Sequence, residues 1–163
     1  YYTEFSTPFC DIILAGDELG LRNLHLLTGE GNREFVIENE WRKDSAFFSD
    51  IREQLLCYFR GELKQFEVKL NLKGTDFQKK VWSALTSIPY GKVVTYSEIA
   101  SQLGNKKAAR AVGLANNRNP VPLIVPCHRV ISAGGNLAGF ASGVAIKRKL
   151  LELESATKGK EVE

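Results

Sequence analysis

The chain opens with three short runs that mix β-branched, aromatic and polar residues. They are Tyr1-Tyr2-Thr3-Glu4-Phe5-Ser6, Cys10 to Ala15, and Leu19 to Leu27, with Thr7-Pro8 and Gly16-Asp17 between them. Strand-forming runs ended by Pro, Gly and Asp predict a small antiparallel meander over residues 1–27. Residues 28–44 are polar and irregular. Phe48, Ile51, Leu55 and Phe59 then recur at helical spacing, which predicts an amphipathic helix over about 45–60 that stops near Gly61. Residues 62–74 read as an extended connector, and the expected organisation is an N-terminal α/β unit over 1–74.

The pattern changes after residue 75. Thr75-Asp76-Phe77-Gln78 is a capping box, opening a helix with Phe77, Val81, Leu85 and Ile88 on one face and Pro89-Tyr90-Gly91 at its end. Thr95-Tyr96-Ser97-Glu98 is a second box, and its short helix runs to about Leu103 and stops at Gly104. Asn105 caps a third helix, Lys106 to about Asn116, rich in alanine. Helix, glycine turn and helix fit a helix-turn-helix, although a plain packed pair has the same pattern. A last helix is predicted from about Ala145 to Glu154 with Ile146, Leu150 and Leu153 inward, followed by a polar, disordered tail over 155–163. Residues 75–154 are therefore expected to form a mainly helical second domain. Gly134, Gly135, Gly139 and Gly143 match neither dinucleotide nor P-loop spacing and read as a surface loop.

Charge sharpens this division. Net charge is only +3, but residues 1–98 hold 15 acidic and 12 basic side chains, whereas 99–163 hold 4 and 10. No Asp or Glu occurs from Ile99 to Leu151. Such a cationic stretch points to a polyanionic partner. No apolar run approaches a membrane span and no signal-peptide pattern opens the sequence, so no membrane partner and a cytoplasmic location are expected. Nucleoid association would follow in a prokaryote and a nuclear location in a eukaryote. Cys10, Cys57 and Cys127 are odd in number and widely spaced, which argues for a reducing compartment and against a disulfide framework or structural zinc.

Within the cationic stretch lies Pro126-Cys127-His128-Arg129-Val130. Nearby positive charge favours the thiolate, the nucleophilic form of cysteine. In a strand Cys127 and His128 would face opposite ways, so a direct couple requires a turn or a bridging water. Cys10 and Cys57 lack such neighbours and read as packing.

Pro120 through Ile131 closely resembles the active-site signature of the alkylguanine-DNA alkyltransferases, also called methylated-DNA–protein-cysteine methyltransferases. Further matches follow in the family's order: Phe77-Gln78 through Val81-Trp82, Pro89-Tyr90-Gly91 through Thr95-Tyr96, and Lys107 through Gly113. Asn119-Pro120 and Leu150 through Glu154 complete them. The resemblance is strong over 75–154 and architectural over 1–74. It implies a ribonuclease-H-like N-terminal unit, a small antiparallel sheet plus helix, followed by a winged-helix, helix-turn-helix domain.

It also implies a single-turnover enzyme of DNA repair. The alkyl group of O6-alkylguanine, chiefly O6-methylguanine, would pass irreversibly to Cys127 after base flipping. By the same resemblance His128 draws the thiol proton through a water, Glu154 orients His128, and Tyr96 protonates the departing guanine. Asn119 holds the turn, as scaffold or as a direct catalytic group. Arg110 is the intercalating residue on a helix presented to the minor groove, where Ala109 and its small neighbours allow close approach. Ser97 and Asn105 are phosphate contacts, so that double-stranded DNA is bound without sequence preference. Phe140, Ala141, Ser142, Gly143 and Arg129 are expected at the base pocket, with Arg129 also fixing the turn. Gly139-Phe140-Ala141-Ser142-Gly143 departs from the family's commoner Gly-Tyr-Ser-Gly-Gly, which removes a hydroxyl and narrows the pocket. No metal and no cofactor is implied, and a monomer is expected. Two rival readings stay open: a DNA-binding damage sensor without chemistry, and a thiol hydrolase.

Overall fold

The computed structural model describes residues 1–30, 35–137 and 140–157. Its first sheet is β1 (Tyr2–Ser6), β2 (Asp11–Asp17) and β3 (Gly20–Leu27), antiparallel in that order. Tyr2 pairs with Ala15 and Ile12 with Leu26. The predicted meander is therefore present. A 3-10 turn over Ala46–Phe48 leads into α1 (Ser49–Phe59), which buries Leu55, Tyr58 and Phe59.

The connector runs along the free edge of β3. Leu21 donates to the Lys69 carbonyl and Asn71 donates to the Leu21 carbonyl, both at 2.8 Å. Gly20 makes this approach possible, because its φ is +139° and a Cβ there would lie 2.7 Å from the Leu70 carbonyl carbon.

The second unit consists of α2 (Asp76–Thr86), β4 (Val94–Thr95), α3 (Tyr96–Gln102), α4 (Ala109–Asn117), β5 (Val130–Ile131) and α5 (Val144–Thr157). β4 and β5 form a two-residue parallel pair. Both halves of the Thr75/Gln78 capping box are made, at 3.1 and 2.9 Å. Removing such a cap typically costs about 1 kcal/mol. Thr95 Oγ1 accepts from the Glu98 N–H (3.1 Å) and starts α3 in the same way.

Three predicted details differ. Phe77 is exposed, although its spacing put it on the buried face. It sits in the first turn, where Trp82 fills the interior instead, its Nε1 donating to the Ala115 carbonyl (2.9 Å). The third helix is divided: Lys106–Ala108 forms a 3-10 turn held by Asn105 Oδ1, and α4 begins at Ala109. The last helix is longer than its periodicity indicated. It continues to Thr157, whose hydroxyl is hydrogen-bonded to that of Tyr90, so 155–157 are not tail. Residues 158–163 lie outside the described residues.

One contiguous apolar core joins the two units. Ile12, Leu14, Leu24 and Tyr58 from the first meet Val81, Leu85, Val125 and Leu150 from the second. Side chains in close packing move little, so elements of the first unit can serve as fixed supports for groups on the second.

Candidate active site

The chain between α4 and β5 is tightly turned. Asn119, fully buried, donates through Nδ2 to the Val125 carbonyl (2.7 Å) and accepts through Oδ1 from the Val121 N–H (3.0 Å). Leu123 takes a left-handed φ of +76° inside this loop. Such a conformation costs a non-glycine residue roughly 1–2 kcal/mol; Leu123 is itself buried and the Asn119 bonds span its turn. Pro126 then leads into a 3-10 turn, Cys127–Arg129. Cys127 N–H donates to the Val125 carbonyl (2.8 Å), and Asn116 Nδ2 on α4 reaches the Cys127 carbonyl (3.4 Å). The turn that a neighbouring thiol and imidazole require is present, and Cys127 is 3% exposed.

Glu154 of α5 is the centre of a sealed polar network. Its Oε2 accepts from Tyr58 Oη (2.6 Å), from His128 Nε2 (2.6 Å) and from Arg129 Nη2 (3.1 Å). Its Oε1 accepts from Arg129 Nε (2.8 Å) and from the Gly91 N–H (3.3 Å). Burial pushes this carboxyl up. Hydrogen bonds from His128 and Arg129, together with the Arg129 charge, outweigh burial and hold it well below the usual carboxylate range. An ionised carboxylate can only accept, so every partner must donate. His128 Nε2 therefore carries hydrogen.

Burial, opposed by Glu154, sets the His128 pKa below its ordinary 6.5, so the ring is neutral near pH 7. Nδ1 is then the basic nitrogen. It is buried and has no hydrogen-bond partner among the described residues. Tyr58 is pushed far above the usual phenol range by burial and by Glu154, and it stays a donor.

Two further groups lie near Cys127. Tyr96, at the start of α3, lies close enough for Cys127 to raise its pKa, after burial as the larger cause. A Cβ on Gly113 of α4 would be 3.9 Å from the Tyr96 ring, an ordinary contact distance that places α4 beside the phenol. Lys147 of α5 is fully buried. Its Nζ donates to the Val130 carbonyl (2.6 Å) and lies 5.5 Å from the centre of the Phe140 ring. Burial lowers its pKa, and proximity to Cys127 opposes that shift.

The predicted residues therefore separate into two groups. Cys127, His128, Glu154, Tyr96 and Asn119 gather at the turn, and Phe140 joins them through Lys147. Ser97, Asn105 and Arg110 stand exposed on α3, its following turn and α4, with Ala109 half-buried beside them. Ser142 and Gly143 are buried and Ala141 is partly so, whereas Gly139 lies outside the described residues. Arg129 requires a correction as a pocket residue. Its guanidinium is committed to Glu154 and to the Ile88 carbonyl (2.7 Å), and its remaining edge faces a separate cavity of about 360 Å³ shared with Lys64 and Tyr90. A carboxylate and a carbonyl satisfy a buried cation; an apolar base pocket would not.

Sequence reasoning missed Tyr58 and Lys147. Both carry a weak signal: Tyr58 is three residues from Leu55 and Lys147 three from Leu150, which places each on the buried face of its helix.

Residues 1–72 match the ribonuclease-like domain of 6-O-methylguanine DNA methyltransferase, and residues 76–156 match that protein's DNA-binding domain. The chain belongs to this family. A methylated-DNA–protein-cysteine methyltransferase of Methanosarcina acetivorans is 53% identical over 156 residues, 96% of this chain and 99% of that protein. The crystal structure of the Mycobacterium tuberculosis O6-methylguanine methyltransferase superposes with a TM-score of 0.88 at 46% identity, covering 99% of this chain and 96% of the other. The M. tuberculosis protein in complex with DNA gives 0.87 at 48% identity, covering 96% and 93%. The family's two-part architecture, a ribonuclease-like unit followed by a mainly helical DNA-binding one, is the one seen here.

Proposed function

We propose that this protein repairs DNA by moving the alkyl group of O6-alkylguanine, chiefly O6-methylguanine, to Cys127 Sγ. The observation that carries this reading is the Glu154 network, which leaves His128 neutral with Nδ1 as its basic nitrogen beside the turn bearing Cys127. His128 Nδ1 takes the thiol proton, directly or through one water. The thiolate attacks the alkyl carbon, an S–C bond forms, and the C–O bond to guanine breaks with its electron pair leaving on O6. Tyr96, kept protonated by burial, donates a proton so that guanine leaves neutral. The thioether product has no good leaving group, so each molecule reacts once. No cofactor enters the step.

The target atom is inside the duplex, so the nucleotide must be rotated out. Arg110, exposed on α4, fills the gap in the stack, while Ser97, Asn105 and the neighbouring lysines hold phosphates without reading sequence. Ala109 allows the helix into the minor groove. Phe140, Ala141, Ser142 and Gly143 line the base pocket. The boundary between the two functional units falls near residue 74, and the protein acts as a monomer in the compartment that holds the DNA. A solved relative bound to DNA supports the partner.

Intact mass measurement after mixing with duplex DNA containing O6-methylguanine tests the reading. One methyl group on Cys127, absent in Cys127→Ala, is the expected result. Binding without an adduct would instead mark a sensor, and repeated turnover on an ester would mark a hydrolase.

A further inference from the structure

The Thr28–Glu30 segment leaves β3 and rests on the Phe140–Gly143 loop. Thr28 Oγ1 donates to the Ser142 carbonyl, a contact between residues 114 positions apart. The same hydroxyl accepts from the Glu30 N–H (3.2 Å), so a local turn fixes its direction. Gly143 has a φ of +109°, and a Cβ there would approach Glu30 Cβ to 2.6 Å. The segment and the loop are therefore in direct contact beside the hydrogen bond. From the other side, buried Phe140 sits against Lys147, and Gly143 N–H donates to the Phe140 carbonyl (3.0 Å). β3 also reaches the start of the loop that leads to the Cys127 turn, where Leu24 N–H donates to the Pro120 carbonyl (2.8 Å).

We infer that Thr28 is a positioning residue that sets the width of the alkylguanine pocket, so that the N-terminal unit takes part in selecting alkyl size. The inference rests on the function proposed above, with Phe140–Gly143 as the pocket wall. A loop ending in a positive-φ glycine has several backbone states open to it. A hydrogen bond from the end of a sheet-bound strand selects one of them. Attack requires the alkyl carbon about 3–3.5 Å from the sulfur and in line. A methyl group has little surface with which to hold that geometry, so it depends on a fixed wall. A bulky benzyl group fills a looser pocket and gains from one.

The test compares Cys127 alkylation rates with two substrates, duplex DNA containing O6-methylguanine and free O6-benzylguanine, in wild type, Thr28→Val, Thr28→Ala, Thr28→Ser and Gly143→Ala. Thr28→Val is expected to slow methyl transfer by up to about tenfold, the worth of one neutral hydrogen bond. The benzyl reaction is slowed less or accelerated, so the benzyl-to-methyl ratio rises. Thr28→Ser, which keeps the hydroxyl, retains the wild-type ratio. Gly143→Ala alters the pocket wall with Thr28 intact, raises the ratio and serves only to show that the ratio reads loop position; Thr28→Ala, which also removes the hydroxyl, carries the test if Thr28→Val does not fold. A ratio within about twofold of wild type in folded Thr28→Val or Thr28→Ala, less than one hydrogen bond supplies, overturns the inference, as does failure of Thr28→Ser to restore it. Wild-type protein that accepts neither group on Cys127 overturns the reading of the site itself, and this inference with it.

Discussion

Around Glu154, the phenol of Tyr58, the imidazole of His128 and the guanidinium of Arg129 are withdrawn from water and satisfied by one carboxylate. On α3, the turn after it and α4, Ser97, Asn105 and Arg110 stand in solvent. The two regions use polar groups for opposite purposes. Paired burial fixes protons: the hydrogen bonds from His128 and Arg129 and the Arg129 charge keep Glu154 ionised against its burial, which makes it an obligate acceptor and so determines which nitrogen of His128 is basic. Exposure keeps cations available to a partner whose own charge will be neutralised on contact. A protein that does chemistry on a buried base in a charged polymer needs both, and here the second unit carries both, with Tyr58 of the first unit completing the buried one.

The comparison can be broken at either end. Glu154→Gln keeps the shape and removes the charge, leaving Arg129 buried without its counterion. It should lower alkylation roughly a hundred- to ten-thousand-fold, the usual contribution of general acid–base catalysis. It should also cost about 3–5 kcal/mol of stability, as breaking a buried ion pair does. Stopped alkylation assays and denaturant melts read the two effects. DNA binding by folded Glu154→Gln should stay near wild type, and a parallel loss of binding would show that the regions are not separable.

Arg110→Ala attacks the other region. The expected result is a loss of about tenfold or more in repair of duplex DNA, since unstacking a base costs a few kcal/mol that the inserted side chain helps to offset. Reaction with free O6-benzylguanine should be unchanged. Equal loss on both substrates would remove Arg110 from the proposed role.

The smallest effect is with pH. The native pKa of His128 lies below 6.5, chiefly through burial. The unfolded chain therefore takes up a proton before the native state does. The stability that neutral His128 contributes is present above pH 6.5 and is lost as pH falls through its lower native value. Alkylation of free alkylguanine should fall over the same acid range, because a protonated imidazole accepts no thiol proton. His128→Gln should flatten that acid limb. A limb that persists unchanged would assign it to another group.

Much of this was legible in sequence because it is local. The Thr75 box, the three strands and the glycine stop after α1 depend on residues a few positions apart, and each is found. The Cys127 turn was legible through its neighbours, since adjacent thiol and imidazole demanded a bend and Pro126 allowed one. Phe77 misled because a helix's first turn can extend past the core that its period points to. For Arg129 the resemblance offered two places, the base pocket and the turn, and the choice rested on an acid 25 residues on, which holds its guanidinium.

The amino-acid sequence alone determined where helices start, where the reactive sulfur lies and which half is cationic, because capping, turn chemistry and charge act over short spans. Only the tertiary structure decided that Tyr58, 96 positions before Glu154, completes its hydrogen bonds. It alone brought Lys147 inside and set Thr28 against Ser142. Those contacts come from two units closing on one core. No local rule encodes them, because each residue's own neighbours fit other arrangements equally well until packing selects one.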